Sequence, residues 1–537
     1  VRDRAWAGAA AATAGVAFAP AARSGFVYDD HGFYAGNPAL VEPSILWRAF
    51  ADPSCQRDNG IDPGLWRPLR TLSYAIDRAL FGGGSVGPHV VNIVLHAAST
   101  ALLFLLLRRF GIGALAAFSG ALLFALHPAQ TECVAWLSSR GDVLAMALVT
   151  AAILLDLSGR GALALAAGAA ALLAKEQAVV WPALAWISAR LAGRDARDAA
   201  RRLVGPAVVV AAFLAAREFV GITNTQAGGL GHGSAGAPQI ASMLGHQVWY
   251  ALLPVGALFD WQMPWNVHPW PVVLAGLAAL AALAWRPSRL AALWFLAALV
   301  PTLFLQAVMP LNIAVCDRWL LFALPALAIA GATAVERVGP APAIVASVAF
   351  LALTHTTIPD WRSDATLWAR TAERVPGHPR ANHWLGMDAI RRRDFAEAVA
   401  RLRLSDSTMG KFHLACALDA LGRTTRDAAT MREAHETYRE ADRRYDSDAR
   451  AEGRAGLEPL ARVGAVDAAM LYSAFSQDYA FGADRLEELL ASRRPDVIGD
   501  AAEGWRLRVD SVARSAEANP LLGPAAAERA RAWGRLE

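Results

Sequence analysis

The sequence predicts an all-α chain in two parts: a polytopic membrane domain over residues 1–358 and a soluble helical domain over 359–537. Three observations carry this. The 537 residues are 55% hydrophobic and only 18% charged, where ordinary soluble domains carry about 25%. The deficit lies almost entirely before residue 360, after which the chain turns charge-rich. The tail repeats a Leu-Gly, Ala, large-residue spacing typical of stacked helical pairs. Mean hydropathy is +0.31. The net charge of +4 is small and the arginines gather in loops. That is a pattern of membrane orientation, and no nucleic-acid partner is expected.

A bilayer core of ~30 Å needs about 20 apolar residues per helix. About eleven spans are expected, at 5–22, 89–107, 113–128, 142–157, 160–175, 177–192, 203–220, 270–285, 289–308, 319–336 and 341–357. Their many alanines allow close helix packing in lipid. Arg2 and Arg4 before the first segment also fit a signal peptide cleaved near Ala22. Arg108, Arg109, Arg160, Arg190, Arg194, Arg197, Arg201, Arg202, Arg286, Arg289 and Arg337 all fall on one side if the N-terminus is inside, as the positive-inside rule asks. The loops 23–88, 128–141, 175–177, 221–269 and 309–318 then lie outside, with the C-terminal domain. Counting 240–257 as a span would flip Arg286 and Arg289, so it reads as re-entrant or interfacial, with His246, Trp249 and Tyr250 at the interface and Asp260-Trp261 following.

The first outer loop opens with Tyr28-Asp29-Asp30. Two adjacent carboxylates beside a bilayer are costly to place and suited to proton transfer. Further along, Ser44 reads as the N-cap of a short amphipathic helix. Trp66, Leu69, Leu72, Ile76 and Leu80 mark a second over 66–81. Both are expected to lie flat on the membrane. The cysteines Cys55, Cys133, Cys316 and Cys416 show no framework spacing and read as unpaired.

In the tail, Leu385-Gly386 is followed by Ala398 and Leu402, and Leu421-Gly422 by Ala434, Tyr438 and Ala441. The glycine is expected to let paired helices approach, with the alanine packed against it. The units are offset by 36 residues, where tetratricopeptide repeats have 34. Residues 363–375 read as a preceding helix carrying Trp368 and ended by Pro376, and further helices are expected at 464–494 and 501–516. An unrelated helical bundle remains the plain alternative.

Polar residues recur at the outer mouths: His127, Glu132, Arg140 and Asp142 around the third and fourth spans, Lys175-Glu176 after the fifth, and Asp317-Arg318 at the tenth. Asn92 and His96 share a face of the second span at i,i+4. Singly, each reads as a cap, an anchor or a salt bridge. Together, on the face that carries Asp29 and Asp30, they are functional candidates.

The order Tyr28-Asp29-Asp30, Trp66-Arg67-Pro68-Leu69, Asn92-x3-His96, His127-Pro-x2-Thr-Glu132-x3-Trp136-x3-Arg140-x-Asp142 and Ala174-Lys175-Glu176-Gln177 resembles the transmembrane and tetratricopeptide-repeat-containing O-mannosyltransferases, which are GT-C glycosyltransferases. The resemblance continues through Asp317-Arg318-Trp319 and Pro359-Asp360-Trp361-Arg362-Ser363 to about residue 445. It departs in having few repeats, an unmatched tail after 445, and an aspartate at 317 where family members often carry glutamate. It implies a GT-C-like membrane domain that transfers a hexose, mannose among the candidates, from a polyprenyl-phosphate donor to a hydroxyl of a protein Ser/Thr or a glycan. Asp29 is the expected base and Asp30 the second choice. Arg140, Lys175, Arg318 and His127 are the expected phosphate ligands, with Glu132, Asp142, Glu176, Asp317, His96, Asn92 and Arg67 supporting them. No cofactor is required. A divalent cation could sit at Asp29, Asp30 and Glu132, though no ligand spacing demands one. The lipid-linked sugar is the expected membrane partner, and the tail would bind the acceptor. The Ala- and Arg-rich composition suggests a bacterial cytoplasmic membrane, with the site on the periplasmic side. Two alternatives stand: a non-catalytic scaffold built on the repeats, and a transporter, which would place charges near mid-membrane in two repeated halves.

Overall fold

The computed structural model describes residues 2–56, 65–221, 236–255, 270–285, 289–308, 315–452, 458–476, 479–491, 501–519, 521–522 and 524–533. Asp260-Trp261 and Arg286 lie outside the described residues. The described chain is helical throughout and forms two compact units, Val1–Leu367 and Trp368–Glu537. Residues 359–367 therefore belong with the first unit. Gly25 N–H donates to the Arg362 carbonyl at 3.0 Å, and the Trp361 ring stacks 6.0 Å from Trp136.

The first unit is built from α1 (Arg2–Phe18), α2 (Ile45–Ala51), α3 (Pro68–Phe81), α4 (Val86–Arg109), α5 (Ala114–Ala125), α6 (Gln130–Ala135), α7 (Arg140–Leu157), α8 (Gly161–Ala174), α9 (Trp181–Leu191), α10 (Ala196–Arg201), α11 (Val204–Phe219), α12 (Ala237–Leu252), α13 (Trp270–Ala284), α14 (Arg289–Val308), α15 (Pro325–Val338) and α16 (Ala341–Thr357). Among the described residues, four segments are long and apolar enough to cross a membrane: Arg2–Arg23, Val86–Arg109, Ala196–Phe219 and Ala341–Arg362. The other expected spans form shorter helices. One reason is local: the chain tightens into 3-10 turns at Glu176–Val180 and Asp317–Leu320, so α9 and α15 start four to six residues later than the apolar pattern does.

Small residues set the packing. A Cβ on Gly120 of α5 would lie 2.4 Å from the Ala328 carbonyl of α15. Only glycine permits that approach, the close backbone contact that membrane helices use. At the other end of α5 the chain breaks, and its orphan carbonyls need donors. The polar stripe of α4 supplies them. His96 Nε2 meets the Ala125 carbonyl at 3.0 Å, Asn92 Nδ2 donates to the Val134 and Trp136 carbonyls, and His89 Nε2 meets that of Ala135. Asn92 and His96 thus hold the polypeptide that frames the outer mouth.

The loop helices are amphipathic in an inverted sense. On α3, Arg70, Thr71, Tyr74 and Asp77 are buried while Ile76, Leu80 and Phe81 are exposed. On α2, Leu46 and Trp47 are exposed. Ser44 does not cap α2. Its Oγ donates to Glu42 Oε2 at 3.0 Å, because Ser44 already has helical backbone angles. Of the 240–257 segment, residues 240–252 belong to the helix α12, and 256–257 lie outside the described residues. His246 and Tyr250 face inward, with Tyr250 Oη donating to Asp317 Oδ2 at 3.0 Å, instead of lying at an interface. All four cysteines are free.

Helix α17 (Asp364–Arg374) crosses from the first unit into the second, which stacks α18 (Pro379–Arg391), α19 (Phe395–Leu402), α20 (Thr408–Thr425), α21 (Ala428–Glu452), α22 (Glu458–Ser476), α23 (Tyr479–Ala491), α24 (Ala501–Ala518) and α25 (Pro524–Trp533) on one apolar core. Successive pairs α18–α19 and α20–α21 pack as hairpins. The glycine contacts differ from the expected ones. Leu402 sits 2.5 Å from a Cβ built on Gly386, and Met431 Sδ 2.6 Å from one on Gly422. Ala398 and Ala434 are buried beside them without making the closest contact. A large residue fills the groove that each glycine opens.

Candidate active site

The Asp29-Asp30 loop is held in one conformation from two sides. Tyr28 has φ of +52°, left-handed backbone that a bulky residue adopts only under constraint. The constraint is Asp364: its Oδ1 accepts from Tyr28 N–H and its Oδ2 meets His31 Nε2, both at 2.8 Å. Asp30 is the second anchor. Its Oδ1 accepts from the N–H and Oγ of Ser138 at 2.8 and 2.6 Å, and its Oδ2 from Val27 N–H at 3.1 Å. Asp30 is fully buried. Burial pushes its carboxyl up to about 7, against the pull of the three donors and with help from the Asp29 charge. Asp29 stands next to it, half-buried. The two carboxylates therefore have different environments: Asp30 is fully buried and fastens the loop, and Asp29 is only partly buried.

Facing this loop are three ion pairs. Arg67 grips Glu176 bidentately, Nε–Oε2 at 2.8 Å and Nη2–Oε1 at 2.5 Å. Lys175 Nζ donates to Asp142 Oδ2 at 3.0 Å. Arg318 pairs with Glu132 through its guanidinium and through its backbone N–H at 3.0 Å. The last contact joins residues 186 positions apart. Glycine sets the second pair, since a Cβ on Gly141 would lie 2.7 Å from the Ala174 carbonyl. The start of α7 thereby closes on the end of α8 and brings Asp142 to Lys175. The three pairs act as one cluster: Arg67 feels Asp142 and Arg318, and Lys175 feels Arg67, Asp142, Glu176 and Arg318. Burial and the Arg67 charge hold Lys175 below the usual ammonium range. Burial alone would raise Glu176, but Arg67 and Lys175 hold it well below the usual carboxylate range. The Arg318 guanidinium also lies 5.0 Å from the Trp136 ring centre, and Trp136 stands between Tyr28 and Trp361.

Two of the expected phosphate ligands are placed elsewhere. Arg140 is fully buried, with Nη2 donating to Asp77 Oδ2 and the Pro88 carbonyl, each at 2.7 Å, and Nε donating to Asn92 Oδ1. His127 accepts from Ala129 N–H on Nδ1 at 3.1 Å and donates from Nε2 to the Ala251 carbonyl at 3.2 Å. Both ring nitrogens are thus committed to the backbone. Of the three carboxylates considered for a cation, Asp30 and Glu132 have their oxygens engaged by Ser138, Val27 and Arg318. No group of three side chains suited to a metal occurs among the described residues.

The sequence reading missed Ser138, Asp364, Asp77 and Arg70. The first three are partners far along the chain, at separations of 108, 336 and 63 residues. Arg70 left a local trace, lying one turn after Arg67 on the polar stripe of α3.

No family profile matches the chain, and no solved structure matches it. Curated proteins do. Drosophila melanogaster protein O-mannosyl-transferase Tmtc1 is 34% identical over 123 residues, 22% of this chain and 14% of that protein. The Mus musculus O-mannosyl-transferase TMTC1 is 34% identical over 159 residues, 28% of this chain and 16% of its relative. The Homo sapiens O-mannosyl-transferase TMTC4 is 33% identical over 145 residues, 24% and 20% of the two chains. The matched stretch spans no more than a fifth of these three relatives. Over about a quarter of its length, then, the chain is similar to protein O-mannosyl-transferases of animals.

Proposed function

We propose that this protein is a membrane glycosyltransferase that moves a hexose, mannose by preference, from a polyprenyl-phosphate donor to a hydroxyl acceptor at the outer mouth of its membrane unit. One observation carries the reading: a partly buried carboxylate, Asp29, sits on a loop locked by Asp30 and Asp364 and joined through Tyr28 and Trp136 to a cluster of three partly buried cation–carboxylate pairs. The similarity to O-mannosyl-transferases supports it.

In this mechanism Asp29 takes the proton of the acceptor hydroxyl as that oxygen bonds to the anomeric carbon. The bond from that carbon to the phosphate oxygen breaks at the same time, and its electron pair leaves with the phosphate. The displacement inverts the anomeric centre. Arg318 and Lys175 stabilise the charge that grows on the leaving group. Glu132 and Asp142 hold those cations in place, Arg67 and Glu176 brace them, and Asp30 positions Asp29. Asp317, fixed by Tyr250, orients Arg318. The donor enters from the bilayer, and the acceptor, a Ser/Thr side chain or a glycan, from the aqueous side. The helical tail offers acceptors a binding surface.

The test is transfer by the purified full chain in lipid discs, with polyprenyl-phosphate mannose and a Ser/Thr-rich peptide. Labelled sugar should move to the peptide with inverted anomeric configuration. Transfer from a nucleotide sugar without the lipid donor would contradict the reading.

A further inference from the structure

Among the described residues, two arginines of α3, Arg70 and Arg78, have no carboxylate partner, and Arg70 is the buried one. Arg70, on the first turn of α3, is 2% exposed, and among the described residues its guanidinium makes no hydrogen bond and no ion pair. It lies 4.7 Å from the Phe33 ring centre and 5.6 Å from that of Tyr74. Its stem packs 3.5 Å from where a Cβ on Gly141 would stand. The charges that reach it are Arg67, Glu176 and Asp29. Arg70 therefore lies against Phe33, just after the Asp29-Asp30 pair, and against the start of α7, which carries Asp142.

A buried guanidinium without an anion is expensive. Aromatic faces return only a part of that. The neighbouring cations show what this chain does when a charge is purely structural: Arg140 is equally buried and has Asp77. No described residue supplies Arg70 with an anion at hydrogen-bond distance. Guanidinium suits phosphate oxygens by its planar fork.

We propose that Arg70 binds the phosphate of the lipid-linked donor, placing it between Asp29 and the Lys175–Arg318 side of the cluster. This rests on the glycosyltransferase reading above, and its test separates the two. The full chain in lipid discs is titrated with three probes: polyprenyl phosphate, the uncharged polyprenol of equal length, and inorganic phosphate. Wild type should bind polyprenyl phosphate at least tenfold more tightly than polyprenol, with inorganic phosphate weaker still. Arg70→Met should bind both lipids alike. Its ligand-free melting temperature should match or exceed that of wild type, because the unpaired buried charge is gone. Arg70→Lys, with the charge but no fork, should lose three- to tenfold in affinity for polyprenyl phosphate.

If wild type does not distinguish polyprenyl phosphate from polyprenol, the glycosyltransferase reading fails, and this inference with it. If wild type distinguishes them and Arg70→Met does so equally, this inference alone fails. In that case a lowered melting temperature would assign Arg70 to cation–π packing. Inorganic phosphate binding as tightly as the lipid would also overturn the donor assignment. Should Arg70→Met not fold, Arg70→Lys decides, and an undiminished affinity would overturn the proposal.

Discussion

Two regions of this molecule bury arginine against carboxylate, and they differ in one respect. In the helical tail, Arg423 bonds Asp419 and Asp467, at 2.6 and 2.5 Å. Arg508 reaches Asp419 at 3.3 Å and the Tyr438 hydroxyl at 2.5 Å. Two cations meet two carboxylates, and the network ties α20, α21, α22 and α24 into one core. At the candidate site, Arg67, Lys175 and Arg318 are paired in the same way, yet Arg70 has no carboxylate partner among the described residues. Buried charge by itself therefore says little about function. A buried charge left without its counter-ion says more, because the fold has accepted a cost that only a ligand removes.

This contrast can be broken by experiment, and the largest expected effect concerns pH. The Asp30 carboxyl is raised from an ordinary 3.8 to about 7. The folded chain thus holds this proton more tightly than the unfolded one. Its contribution to stability is full below about pH 4 and is lost as pH rises toward 7, a change on the order of 4 kcal/mol. Unfolding of the membrane unit, followed by Trp fluorescence across pH 4–8, should show this slope, and Asp30→Asn should flatten it. An unchanged slope would remove Asp30 from the account.

Next come matched substitutions in the two regions. Glu132→Gln and Asp419→Asn each strip a buried carboxylate from an arginine pair; the first should cost about 3 kcal/mol, and the second less, because the Arg423 side chain is 35% exposed. Only Glu132→Gln should also weaken binding of polyprenyl phosphate, through the loosened Arg318. Equal loss of lipid binding in both variants would erase the distinction between mouth and tail.

The smallest expected effect lies wholly in the tail. Met431 Sδ stands 2.6 Å from a Cβ placed on Gly422, so Gly422→Ala should destabilise the tail by roughly 1–3 kcal/mol. Sugar transfer to a short peptide should not change. Calorimetry of the variant and its initial rate check the two halves of that statement.

Much of this was legible in the sequence, and the limits have physical causes. Helix positions followed from apolar period and composition, and most expected segments recur within a few residues. Asp29, Lys175, Glu176 and Arg318 were visible as polar residues at helix ends. What periodicity could not show was pairing across the fold. Arg140 reads as a free cation until Asp77, 63 residues earlier, is seen against it. Asn92 and His96 read as functional because ionisable and amide groups at membrane depth usually are, whereas here they satisfy carbonyls at a helix break. Arg70 escaped because the apolar stripe of α3 drew attention to Leu69, Leu72, Ile76 and Leu80. Ile76 and Leu80 turn outward, and the opposite face carries Arg70, Tyr74 and Asp77 into the protein. In an amphipathic helix beside a bilayer, the polar face is the one to read for chemistry.

The central claim is that Asp29 takes the acceptor proton while Asp30 only positions it. The most direct measurement compares initial rates of mannose transfer by wild type, Asp29→Asn and Asp30→Asn at saturating polyprenyl-phosphate mannose. Removal of a general base costs about 10²–10⁴-fold. Asp29→Asn should fall by that much with donor affinity intact, and Asp30→Asn by less. Full activity in Asp29→Asn, or a greater loss in Asp30→Asn at equal stability, would contradict the account.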